Sequence, residues 1–165
     1  IGWLSVPKLP VHGLAETAHF TNQPLPAKVV DQLIRRVAAA PGGSPDAYCE
    51  VRLMCWTGGK VNTVAPDATA YVHRSSTGLL RPAIWWQPTS SPGLQREMQG
   101  WFSDTLRFIT PFCQPSAFQN WPYRGLPDAL TQYYGSNLPR LTQVKKAYDP
   151  NNLFHYEQSI PVASA

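Results

Sequence analysis

The side chains able to do chemistry are few, and their spacing matches none of the common catalytic patterns. His12, His19, His73 and His155 are scattered along the chain, with no H-E-x-x-H or paired-histidine spacing to hold a metal. A hydrolase nucleophile must be presented on a tight turn beside a histidine base, and no G-x-S-x-G is present. No G-x-G-x-x-G or Walker-type loop cradles a phosphate; Gly42-Gly43 and Gly58-Gly59 read as turns. Cys49, Cys55 and Cys113 form an odd set without a C-x-x-C pair, which argues against a zinc cage or a disulfide framework. Cys49 and Cys55 share strand parity and read as small buried apolar groups. What remains is a polar strand face carrying Glu50 and Arg52, which could line a site or form a cross-strand ion pair. Trp56, Trp85 and Trp86 could wall a site for a planar or sugar-like molecule, or simply fill core.

The elements that must position these groups are short. In 165 residues there are 17 prolines and 11 glycines, with 15% charged residues and 43% apolar ones. That is one domain's worth of chain with enough apolar surface for a core. The net charge of +4 is diffuse and offers no concentrated basic face for nucleic acid. No apolar run of about eighteen residues is present, which removes a membrane-spanning helix. The compartment is left open between cytoplasm and exterior. The first residue is Ile1 and the opening stretch is not laid out as a signal peptide, so a processed chain, a fragment and an incompletely represented chain are all open.

Residues 1–24 read as irregular. Pro26 then opens a helical stripe of Val29, Val30, Leu33, Ile34, Val37 and Ala38, stopped by Pro41-Gly42-Gly43. Over residues 48–56 the period is two, with Cys49, Val51, Leu53 and Cys55 on one side and Glu50, Arg52, Met54 and Trp56 on the other. Residues 60–64 are expected to return as a hairpin strand, and 69–73 and 79–86 as further strands. In the last of these Leu79, Arg81, Ala83 and Trp85 share a face, and Pro82 points to an edge or a bulge. A second helix is expected to begin near Ser91-Pro92 and stop before Pro111. Short helices should follow over 127–134, closed by Gly135, and around Leu138 to Tyr148, stopped by Asp149-Pro150. The sum is α+β: an antiparallel sheet flanked by helices.

Two blocks say more. One runs Phe118-Gln119-Asn120-Trp121, Tyr133-Tyr134-Gly135-Ser136-Asn137-Leu138-Pro139-Arg140-Leu141, Val144-Lys145, Tyr148-Asp149-Pro150-Asn151-Asn152-Leu153-Phe154 and Gln158-Ser159-Ile160-Pro161. The other runs Gly58-Gly59, Pro66-Asp67-Ala68-Thr69-Ala70-Tyr71-Val72-His73-Arg74 and Trp86. Together they resemble the berberine bridge enzyme-like flavoproteins, FAD-linked oxidases of the vanillyl-alcohol oxidase superfamily, over roughly residues 20–161.

The resemblance implies a division of labour. An N-terminal FAD-binding domain or chain would hold the pyrophosphate and carry the flavin covalently, through a His and often also a Cys. Residues 1–115 would be the distal part of the substrate-binding domain, roofing the flavin. Residues 116–165 would cross back and pack on the flavin domain, with Tyr133, Tyr134 and Arg140 fixing that packing. The reaction implied is oxidation of an alcohol, sugar or secondary metabolite by hydride transfer to FAD, with dioxygen as acceptor. The chain alone would be inactive. The family's Tyr-x-Asn falls on Phe118-Gln119-Asn120, so Phe118 and Asn120 become cofactor-side residues, with Asn120 alternatively a loop cap. The tyrosine that often serves as base is absent. A Gln or Glu that often faces substrate falls on Arg81, which would favour an anionic substrate or flavin form, or would be a solvated arginine. Arg81 and Glu50 are the catalytic candidates, and Arg52, Arg81 and Trp56 the substrate-binding ones. His73 and Arg74 read as orienting their loop. The alternatives are a redox-silent or repurposed relative and a stand-alone small-molecule-binding module.

Overall fold

The computed structural model describes residues 13–43, 47–55 and 58–163. Its centre is strand β4 (Gly78–Trp86), antiparallel to every strand it meets. On one side lies β3 (Ala47–Cys55), paired along its whole length from Ala47 opposite Trp86 to Cys55 opposite Gly78. On the other side lie β1 (Gly13–Glu16) and β2 (His19–Thr21), which keep a single register: Glu16 faces Ala83 and His19 faces Leu80. They are one strand interrupted at Thr17-Ala18, and Pro82 is the cause. A strand residue's N–H and C=O leave on the same side. The Pro82 carbonyl accepts the Thr17 N–H at 3.4 Å, but Pro82 has no N–H to return. The proline therefore sits in the central strand, not at an edge or bulge, and its cost falls on the neighbour.

Two helices cover one face. α1 (Ala27–Ala38) begins directly after Pro26, and α2 (Pro92–Ile109) begins at Ser91, whose hydroxyl accepts the Leu94 N–H at 3.2 Å. That bond satisfies one of the donors a helix start leaves open. Met98 and Phe102 of α2 pack on Ala47, Ile84 and Trp86, while Val29, Leu33, Leu80 and Ile109 form the adjoining cluster. The two helices are tied where Trp101 Nε1 donates to the Arg36 carbonyl at 2.9 Å. Only Val29 and Leu33 of the α1 stripe are buried; Ile34 is exposed.

Two short helices follow, α3 (Ala129–Tyr134) and α4 (Leu138–Tyr148). Gly135, at φ 49°, supplies the left-handed turn that ends α3. Past α4, the Asp149 carboxylate accepts the Leu153 N–H at 2.7 Å and the Phe154 N–H at 3.1 Å and pairs with Lys145. The Lys145 ammonium beside it holds that carboxyl below its usual range. The Asp-Pro-Asn-Asn run is thus a turn built to stop a helix.

Four more expectations need correction. Residues 60–64 are not a return strand: Gly59–Asn62 is a 3-10 turn, and β3 pairs with β4 instead. Gly58 and Gly59 take φ of 88° and 68°, and the Asn62 side chain closes the turn, accepting the Gly58 N–H at 2.6 Å and donating to the Arg74 carbonyl at 2.6 Å. Residues 69–73 are loop, held by Arg74, which donates to the Tyr71 and Val61 carbonyls and to Thr69 Oγ1. Within the stretch read as irregular, residues 13–21 supply β1 and β2. Cys55 is exposed, whereas Cys49 is half-buried, with its thiol on the Pro41 carbonyl at 3.2 Å. None of the helices among the described residues is long and apolar enough to cross a membrane.

Candidate active site

The sheet's second face carries Leu14, Glu16, Ala18 and Phe20 of one edge, Tyr48, Glu50, Arg52 and Met54 of the other, and Leu79, Arg81, Ala83 and Trp85 between them. Period-two alternation turns these residues away from the helices. One end of the face is closed. Segment 114–118 runs alongside β2, with the Phe118 N–H on the Ala18 carbonyl at 2.8 Å and the Gln114 N–H on the Phe20 carbonyl at 2.7 Å. It delivers Phe118 and Trp121 over Ala18, Phe20 and Leu79. Phe118 stands edge-on to Phe20, Tyr71 and Trp121, with ring centroids 5.8, 6.0 and 5.2 Å apart.

In the middle of the face lies a charge cluster. Arg81 Nη1 donates to Glu50 Oε1 at 2.9 Å, and Nη2 pairs with Glu16 Oε2. The Arg81 guanidinium lies 5.0 Å from the centre of the Trp121 ring. These three charged side chains are 11–17% exposed. Arg52 Nε adds a contact of 2.8 Å to Glu50, and Tyr48 Oη donates to Glu50 Oε2 at 3.1 Å. Desolvation, and then the Glu50 charge, push the Tyr48 phenol above its ordinary range, with Arg52 opposing. The far end is open: Leu14 and Tyr48 are exposed, and Trp85 is half-buried, its ring 5.8 Å from that of Tyr48.

Of the residues singled out from sequence, Glu50, Arg52 and Arg81 meet in this cluster. Arg81 is no solvated arginine; two carboxylates take up its terminal nitrogens, so its charge is already matched inside the chain. Phe118 is packed among rings. Asn120 is exposed beside Gln119, whose Oε1 is buried without a partner among the described residues. Trp56 lies outside the described residues. Trp85 and Trp86 face opposite ways, and Trp86 belongs to the helix-side core.

His73 is structural in its contacts: Nε2 lies 2.9 Å from the Tyr133 carbonyl and the ring stacks on Phe20 at 4.1 Å. Tyr133 and Tyr134 are buried within the chain, and Arg140 donates to the Asp67 carbonyl at 3.2 Å. Those contacts are internal rather than outward. Sequence reasoning missed Glu16, Tyr48 and Trp121. Tyr48 had a signal, being two residues before Glu50 on the same strand face; Glu16 and Trp121 reach the site only through long-range pairing.

A flavin dinucleotide asks two things of a protein: a roof for the ring and a cradle for the pyrophosphate. The exposed Tyr48 and half-buried Trp85 at the open end of this face offer ring-sized surface for the first, while the unpartnered Gln119 carbonyl oxygen and the exposed Asn120 lie between Phe118 and Trp121, which close the other end. No glycine-rich loop among the described residues opens onto a helix, so the second is not met by them.

Residues 117–161 match the family described as berberine and berberine-like. The FAD-linked oxidoreductase sorD of Penicillium rubens is 32% identical over 162 residues, covering 94% of this chain and 33% of the relative. The FAD-linked oxidoreductase YgaK of Bacillus subtilis is 29% identical over 148 residues, covering 90% and 31%. A solved berberine bridge enzyme variant superposes with a TM-score of 0.76 over 92% of this chain and 33% of its own, at 22% identity, which speaks for the fold. Residues 117–161 thus carry a berberine and berberine-like segment, and most of the chain is similar to one part of FAD-linked oxidoreductases. The chain spans about a third of the length of the curated relatives it matches.

Proposed function

We propose that this chain is the substrate-side part of an FAD-dependent oxidoreductase that oxidises an alcohol, sugar or secondary metabolite, with hydride passing to the flavin and dioxygen as final acceptor. The observation that carries the reading is the Glu16–Arg81–Glu50 cluster, set in the one sheet face that the helices leave free and open at its Tyr48 end. Glu50 would accept the substrate's proton, Arg81 would position it, and Arg52 would contact substrate at the rim. Trp56, outside the described residues, would be a further substrate contact. Asn120 and Gln119 would meet the polar edge of the flavin ring, and Phe118 would back it with an apolar surface.

Residues 1–115 would then belong to the substrate-binding part, and residues 116–165 would pack on a flavin-binding domain or chain that holds the cofactor covalently. Exposed Tyr148, Leu153, Phe154 and Tyr156, close together in the chain, support that docking, because large exposed apolar side chains in number mark an interface. The test is to purify the protein containing this chain with its flavin. Anaerobic bleaching of the flavin by benzyl alcohol, vanillyl alcohol, glucose or cellobiose, with peroxide release in air, is the expected result. Absence of flavin, or no bleaching by any of the four, overturns the reading.

A second reading, a redox-silent relative, draws on Phe118, which carries no hydroxyl where the family often has a tyrosine. Under that reading Phe118→Tyr creates bleaching where the parent protein has none.

A further inference from the structure

Glu50 is 9% exposed, so an incoming hydroxyl does not reach its carboxylate freely. Its inner side is filled by Arg81 and its rim side by Arg52, and a guanidinium offers only donors. The remaining partner is the Tyr48 hydroxyl, which donates to Glu50 Oε2 at 3.1 Å. A phenol both donates and accepts. While its hydrogen points at Glu50, its lone pairs are free for a second hydrogen bond. Tyr48 is 40% exposed and stands at the open end of the face, away from the lid of Phe118 and Trp121. A hydrogen-bonded route from outside to the carboxylate therefore runs through the Tyr48 oxygen.

We infer that Tyr48 relays the substrate's hydroxyl proton to Glu50. This rests on the oxidation proposed above and adds a residue to it. The balance is simple. The substrate O–H bond breaks and its proton joins Tyr48 Oη, while the Tyr48 proton crosses to Glu50 Oε2, giving a neutral glutamic acid. The carbon-bound hydrogen leaves with its electron pair as hydride, a two-electron oxidation of C–OH to C=O whose oxidant is an oxidised flavin. Tyr48 starts and ends as a neutral phenol. Its raised ionisation suits that role, since it stays protonated at neutral pH. The charged groups facing it are Glu50 and Arg52 on β3, with Arg81 of β4 and Glu16 of β1 behind them.

The test uses the flavin-loaded protein containing this chain, with Tyr48→Phe and Glu50→Gln. Tyr48→Phe keeps the ring against Trp85 and removes only the hydroxyl. With whichever of the four probe alcohols bleaches the parent protein, the variant's bleaching rate should fall about 10²–10³-fold. The probe's Kd, read from perturbation of the flavin spectrum, should move less than about threefold, since the relay acts on the reaction and hardly on binding. Glu50→Gln should cost a similar factor, and the double variant no more than either alone, because the two act as a unit.

Independently of turnover, absorbance at 295 nm should show Tyr48 among the tyrosines that ionise late, with Tyr133 and Tyr134; one late ionisation is lost in Tyr48→Phe and moves earlier, short of the ordinary range, in Glu50→Gln. A Tyr48→Phe protein that bleaches within threefold of the parent overturns the relay and leaves the oxidase reading standing. A flavin-loaded parent protein bleached by none of the four overturns both. Should Tyr48→Phe fail to fold, the 295 nm titration decides, and an unchanged titration in Glu50→Gln overturns the relay.

Discussion

Arg81 and Glu50 face each other across neighbouring strands, Arg81 Nη1 donating to Glu50 Oε1 at 2.9 Å, while Glu16 takes the other terminal nitrogen from the opposite side. One cation is shared between two carboxylates in a part of the sheet that is nearly dry. Removing it would leave two buried negative charges side by side.

Arg81→Met should therefore destabilise the chain by about 3–5 kcal/mol, the usual cost of breaking a buried pair by deleting one partner. Urea unfolding followed by circular dichroism measures it. Adding Glu16→Gln and Glu50→Gln to Arg81→Met should return much of the loss, since the penalty lies in the orphaned charges. Unchanged stability in the single variant would contradict the burial of the cluster.

Stability should fall with acid before the carboxylates titrate. Burial lowers both His19 and His73 to about 4, against about 6.5 in the unfolded chain. A neutral buried imidazole must gain its proton on unfolding, so the stability is complete above about pH 6.5 and is lost as pH falls toward about 4. Each histidine contributes a slope of up to about 1.4 kcal/mol per pH unit within that window. Urea midpoints at pH 7 and pH 5 check this; His73→Gln should flatten the dependence by roughly half.

The Tyr133 hydroxyl joins two segments. It accepts the Tyr123 N–H at 3.1 Å and donates to Gln158 Oε1 at 3.2 Å, and Gln158 in turn donates to the Tyr123 carbonyl at 2.8 Å. Tyr133→Phe should cost about 1–3 kcal/mol, because it strands a donor and an acceptor in a part-buried place. Amide exchange around residues 154–161 should speed up more than exchange in α2.

Tyr148, Leu153, Phe154 and Tyr156 leave an apolar strip in solvent. The isolated chain should bind 8-anilinonaphthalene-1-sulfonate and self-associate at micromolar concentration, and Phe154→Ser with Leu153→Ser should reduce both. Light scattering and dye fluorescence read this, and a monomer indifferent to the changes would argue that the strip is solvated without consequence.

Much of this architecture is legible in local pattern. Alternation over 48–56 and 79–86 marks β3 and β4, and the prolines and glycines around residues 26, 92, 135 and 150 mark where helices start and stop. What local pattern misses is pairing at a distance. Residues 13–21 form a strand because β4 is there to receive them, and nothing within that short run announces it. Pro82 reads as an edge signal because a lone strand does not say which neighbour will forgo a hydrogen bond. The site was half visible for the same reason. Glu50 and Arg52 share a strand and could be paired by parity, whereas Glu16 and Trp121 come to Arg81 only through tertiary structure.

The divided strand also sets an order of assembly. Glu16 and Arg81 lie 65 residues apart, so at about 5–20 residues per second of synthesis the first half of the pairing waits roughly 3–13 s for its counterpart. During that wait residues 13–21 have no partner strand, and nothing in them yet divides β1 from β2. The gap at Thr17-Ala18 is thus a mark that the later strand leaves on the earlier one, made only once Pro82 has arrived.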